Sequence, residues 1–187
     1  MTAAYRTIAI SVFLIVIQSQ MCLASDPNSI VWLADDISIK GLEQIDFYPI
    51  RYDIRDSYVH QVSSVIRSII RSELVKAGIT VSDINKNTLP VFFALETHIV
   101  HCQPGNVGGR WVGFGGGAAV CILRTRIISG LTGKVVGEVI VANEVSSGGL
   151  FSAGAENYVP EGAARQTVEE LAGLLGLEQD SDTGKME

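Results

Sequence analysis

Several side chains in this sequence have types and spacings that could do chemistry. Glu96, His98 and Arg126 fall on strand-like segments at positions of the same parity, so alternation puts them on one face. They can be drawn as an acid–base pair beside a guanidinium, since proton transfer needs a carboxylate or imidazole within hydrogen-bond reach. The simpler reading is cross-strand charge pairing on a solvated sheet, and it is preferred. Ser146 and Ser147 could be nucleophiles. A serine needs an adjacent base, nothing in the sequence positions one, and no Gly-x-Ser-x-Gly elbow exists. His98, His101 and Cys102 have donor types that bind metal. Strict alternation puts His98 and Cys102 on one face and His101 on the other, so the three would not converge. No catalytic residue, metal or cofactor is expected, and the chain reads as a non-enzyme.

Residues 105–117 hold seven glycines among thirteen positions, with Arg110, Trp111 and Phe114 between them. Gly113-Phe-Gly-Gly-Gly-Ala118 matches G-x-G-x-x-A formally. That motif needs a strand before it and a helix after it, because the helix N-terminus holds the pyrophosphate. Here the following segment alternates as a strand, so nucleotide binding is not expected. Two readings remain and are compatible. Glycines at the end of a long hairpin permit bulges and close backbone approach. The same segment can also be a partner-binding loop, because Arg110, Trp111 and Phe114 are the side-chain types enriched at interaction hot spots. Ordering so many glycines costs more entropy than ordering other residues.

Cys102 and Cys121 flank this segment. Two cysteines in an oxidising compartment form one disulfide as a rule. Strict alternation raises an objection, for it puts Cys102 on the polar face and Cys121 on the buried one. The conflict disappears if the first strand ends near His101 or if a bulge shifts the register by one. A Cys102–Cys121 bond is expected on the compartment argument, and it would close the loop at its base.

The elements that must position these residues are legible from periodicity. From Asp56 to Ala77, Val59, Val62, Val65, Ile66, Ile69, Ile70 and Leu74 recur at helical steps. Asp56 can cap the start, and Gly78 stands where a helix ends. Arg67 and Arg71 fall on the opposite face and read as solvated. Residues 91–101, 119–127 and 135–145 alternate with period two and predict half-buried antiparallel strands. Their second faces carry Glu96, His98, Arg124, Arg126, Glu138 and Glu144. Leu131-Thr-Gly-Lys134 reads as a turn. Ile30–Leu33, Phe47–Ile50 and Ile79–Val81 are short strand candidates. A second helix is predicted from Glu161 to Leu175, preceded by Pro160. The order β-α-β-β-β-α predicts an α+β fold, with a three- to five-stranded, mainly antiparallel sheet and two helices packed on one face.

The first 24 residues read as a signal peptide. Arg6 is the positive n-region, and Ile8–Ile17 is a ten-residue apolar run broken only by Ser11. That run suits an h-region and is short of the roughly 20 residues that span a bilayer. Cys22-Leu23-Ala24 offers the small residues of a cleavage site. A lipid anchor at Cys22 is the competing reading, but Met21 and Gln20 precede it where small residues are normal. A soluble mature chain is therefore favoured. Removing residues 1–24 takes Arg6 and no acid from the 14 basic and 20 acidic residues, which leaves 163 residues and moves the net charge from −6 to −7. An acidic domain of this length is a single-domain chain and a poor nucleic-acid binder. The organisation expected is 1–24 signal peptide, 25–177 one α+β domain, and 178–187 a disordered acidic tail.

Gly109-Arg-Trp-Val-Gly-Phe-Gly-Gly-Gly-Ala-Ala119, then a strand, then Leu131-Thr-Gly-Lys-Val-Val136, a Ser/Gly-rich loop and a terminal Ala-rich helix resembles a domain-of-unknown-function family of bacterial envelope lipoproteins. The likeness covers roughly residues 47–177. The chain departs from that pattern in lacking a good lipobox, in Ser129-Gly-Leu131 where an aspartate commonly precedes the turn, and in its cysteines. The resemblance implies a fold similar to small periplasmic domains of envelope secretion and assembly proteins, and it brings no catalytic residues. The function expected is that of an exported envelope protein, periplasmic or secreted, acting through protein contacts. The alternatives are a periplasmic small-ligand carrier and, for location, a membrane-anchored lipoprotein.

Overall fold

The computed structural model describes residues 28–53, 55–85, 87–105, 117–145 and 155–177. They form one sheet with two helices on one of its faces. The strands are β1 (Ser29–Leu33), β2 (Gln44–Phe47), β3 (Thr80–Asp83), β4 (Phe93–Gln103), β5 (Ala119–Ser129) and β6 (Val135–Val145). Helix α1 (Ser57–Lys76) lies between β2 and β3, and α2 (Ala155–Leu175) follows β6. The spatial order is β1-β6-β5-β4-β2-β3.

The α+β class stands, but the sheet has six strands and is mixed. β1–β6, β6–β5 and β5–β4 are antiparallel, whereas β4–β2 and β2–β3 are parallel. The two parallel strands are four residues long, too short to show a period, and Phe47 ends β2 rather than opening a strand. They lie side by side because α1 forms the crossover that a parallel pair requires.

The α1 start is set by Asp56, whose carboxylate accepts from the Tyr58 and Val59 amides at 3.0 and 3.1 Å. Gly78 adopts φ 87° just past the end, a conformation costly for any side chain. The buried stripe is Val59, Ser63, Ile66, Ile70 and Leu74. Val65, expected on that stripe, is 41 % exposed. The second helix begins at Ala155, six residues before the expected start, and takes Pro160 inside it.

Ile66, Ile70 and Leu74 of α1 and Leu171 and Leu175 of α2 pack with Leu95, Leu123, Ile127, Val139 and Val141 of the sheet in one core. Each such side chain contributes about 1.5–3 kcal/mol. Arg67 and Arg71 are not on a merely solvated face. Both guanidinium groups pair with Asp83 of β3, at 2.8 and 2.9 Å. Arg67 also donates to the Tyr48 carbonyl oxygen at 3.0 Å and lies 5.0 Å over the Phe47 ring. Two arginines thus fasten α1 to the parallel edge of the sheet.

Candidate interaction face

The long β4–β5 hairpin carries most of the residues singled out in the sequence. Its pairing runs regularly from Phe93↔Ser129 to Ile99↔Leu123, then skips one residue, so that His101 pairs with Ile122 and Cys102 with Cys121. Val100 is the residue left over, and it is exposed. This bulge turns Cys102 to the helix side, where it is 2 % exposed beside the fully buried Cys121. The two are joined by a disulfide with Cα atoms 4.1 Å apart. Of the two ways around the alternation conflict, the bulge is the one used, for β4 continues to Gln103.

The same bulge corrects the placement of His101. His98 pairs with Arg124 and His101 with Ile122, and both histidines are exposed on the face away from the helices. Cys102 is on the other face, so the three metal-donor types do not converge. Among the described residues no cluster of three or more metal-binding side chains occurs.

The outer face is crossed by a continuous row of opposite charges. Arg51 pairs with Glu96 at 2.8 Å, Glu96 with Arg126 at 3.8 Å, Arg126 with Glu138 at 3.2 Å, and Glu138 with Arg124 at 2.6 Å. The registers Glu96↔Arg126 and Arg126↔Glu138 place these pairs directly opposite one another. Burial alone pushes the Glu138 carboxyl up. The hydrogen bonds and charges of Arg124 and Arg126 outweigh it and hold the group below the usual carboxylate range. Glu96 and Glu138 thus each pair with two guanidinium groups. The face is wet only in part, because Glu138 is buried.

Arg51 was not singled out in the sequence and no local period marks it. It reaches the row because the chain after β2 continues alongside β4, with an isolated parallel bridge from Arg51 to His98. A depression of about 150 Å³ opens beside it between Tyr48, Leu89, Pro90, Glu96 and Ile128. Burial, then the Asp46 and Glu96 charges, push the Tyr48 phenol above its ordinary 10.0. Its hydroxyl donates to the Thr88 carbonyl oxygen at 2.8 Å.

Arg110, Trp111 and Phe114 lie outside the described residues, as do Ser146 and Ser147. What the structure places is the base from which residues 106–116 depart, namely the last β4–β5 rung, Gln103↔Val120, directly beyond the disulfide. Among the described residues no helix is long and apolar enough to cross a membrane.

No family model matches the chain, and no curated protein matches it. Solved structures do share its fold. The PelC dodecamer from Paraburkholderia phytofirmans is similar at 13 % identity and a TM-score of 0.53, over 76 % of this chain and 96 % of that one. A Xanthomonas campestris protein of family DUF330 is similar at 10 % identity and a TM-score of 0.51, over 72 % of this chain and 84 % of that one. At these identities the likeness is one of fold.

Proposed function

We propose that this chain is an exported, non-catalytic envelope protein that acts through protein–protein contacts, with Arg110, Trp111 and Phe114 of the glycine-rich segment as the contact. The observation that carries the reading is the buried Cys102–Cys121 bond on the rung below that segment. A disulfide of this kind belongs to an oxidising compartment, which agrees with residues 1–24 acting as a signal peptide. It also fixes the two ends of the segment on a rigid hairpin, which lowers the entropy lost when the segment meets a partner. The saturation of Glu96 and Glu138 by arginines supports a non-catalytic role. That the fold also occurs in PelC, solved as a dodecamer, supports a role in assemblies. The depression beside Arg51, at about 150 Å³, is below the roughly 300 Å³ of small-molecule sites, so that depression gives the ligand-carrier alternative no support.

The test is recovery of partners from the native envelope with Trp111→Ala. The fold should be unchanged and a partner lost, and undiminished co-purification would sink the reading. Intact mass of the recovered protein should begin at Ser25, and a mass beginning at an acylated Cys22 would instead make it a lipoprotein.

A further inference from the structure

One rung of the sheet crosses five neighbouring segments on the face away from the helices. Arg51 bridges to His98, His98 pairs with Arg124, Arg124 with Ile140, and Ile140 with Ile30. At about 4.8 Å per strand the rung is about 19 Å long. Its first three side chains are basic and its last two are aliphatic. His98 and Ile30 are exposed, and Ile140 is partly so. The next rung, Glu96, Arg126 and Glu138, does not cancel the positive charge towards solvent. Three guanidinium groups meet two carboxylates, and the carboxylates lie deeper, at 12 % and 10 % exposed against 49 % for Arg51 and 38 % for Arg124. A guanidinium has five N–H donors. Arg124 gives its Nε to Glu138, and Arg51 gives one Nη to Glu96. Among the described residues the other guanidinium N–H groups of these two arginines and both ring nitrogens of His98 have no partner.

Charge complementarity and the order of the side chains say what fits. In a chain of net charge −6 a row of basic donors selects an anionic group. A single oxyanion would leave the aliphatic half uncovered, and a polysaccharide brings no aliphatic side chain to it. A peptide can meet both halves. In an extended peptide alternate side chains point the same way about 6.7 Å apart, so four of them match the length of the rung. We propose that this rung docks an extended peptide of a partner protein, in which two acidic side chains at alternate positions meet Arg51, His98 and Arg124 and the next two alternate side chains, both aliphatic, meet Ile140 and Ile30. The ion pairs to Glu96 and Glu138 hold the guanidinium groups in place before the peptide arrives, which lowers the entropy lost on binding. This contact is separate from the one proposed for Arg110, Trp111 and Phe114 and does not depend on it.

The probe is fluorescein-labelled Glu-Ser-Glu-Ser-Leu-Ser-Leu, titrated with the folded full chain and read by fluorescence polarisation. Saturable binding that weakens as salt is raised is expected, because solvent-exposed charges are screened. His98→Glu and Ile30→Asp alter exposed side chains outside the ion pairs, so thermal unfolding should be unchanged. Each should weaken binding by about tenfold or more. Absence of binding overturns the proposal. So does equal binding to the wild type and both variants, or equal binding of the peptide with lysine in place of each glutamate. Alginate that binds in a His98-dependent way where the peptide does not would assign the row to a polysaccharide and overturn it too. Self-association of the free chain in sedimentation, abolished by both variants, would assign the rung to a contact between copies, with the same consequence.

Discussion

Cys102 and Cys121 meet across β4 and β5 because one residue, Val100, is left out of the register between Ile99 and His101. Without that bulge the Cys102 side chain would face away from its partner. The bond and the bulge therefore specify each other, and together they set which side chains each face presents at the head of the hairpin.

Reduction should destabilise the chain by about 3 kcal/mol on the chain-entropy estimate for a loop of this length. The sequence separation is 19 residues. Urea unfolding with and without reductant measures it. Equal midpoints would mean that the bond constrains nothing in the unfolded chain.

The Glu138 carboxyl is held below its ordinary value of 4.5 by Arg124 and Arg126, against burial. A lowered folded pKa gives stability that is present above the unfolded value and is lost as pH falls through the folded one. Stability should therefore be level near neutral pH and decline below about pH 4.5. Glu138→Gln should cost about 1–3 kcal/mol at neutral pH, since it leaves charged donors without a charged acceptor. The variant and the wild type should converge in acid. Parallel pH profiles would remove Glu138 from the account.

Gly130→Ala should destabilise by about 1–3 kcal/mol. A Cβ there would lie 2.2 Å from the Pro90 carbonyl oxygen, a backbone atom that cannot swing aside. Gly162→Ala is the contrast. Its Cβ would meet the Asn143 amide at 2.1 Å, the free end of a side chain, and alanine gains about 1 kcal/mol in helix propensity. Thermal unfolding of the two variants should show a clear loss for the first and little change for the second.

Arg67→Ala should cost more than Arg71→Ala. Arg67 joins Asp83, the Tyr48 carbonyl oxygen and the Phe47 ring, while Arg71 joins Asp83 and the Val81 carbonyl oxygen. A loss of about 1–2 kcal/mol is expected for Arg67. Arg67→Lys should restore little, because an ammonium cannot reproduce a forked, stacked guanidinium. Full recovery with lysine would reduce the role to charge alone.

The sequence by itself determined α1, its Asp56 cap and its Gly78 stop, because these depend on residues within a few positions of one another. It determined the three long strands and the inward row Cys121, Leu123, Thr125 and Ile127, because alternation is a local property of a pleated chain. It also placed the two cysteines on either side of the glycine-rich segment. Only the tertiary structure decided which strands neighbour which. Four-residue strands such as β2 and β3 carry too little pattern, and their parallel pairing depends on where α1 returns the chain. Only the tertiary structure put His101 on the outer face and Cys102 on the inner one, for a single skipped residue reverses every later side chain. The partners of Arg67, Arg71 and Arg51 were illegible for the same reason, as each ion pair joins residues 16, 12 and 45 positions apart, brought together by the fold.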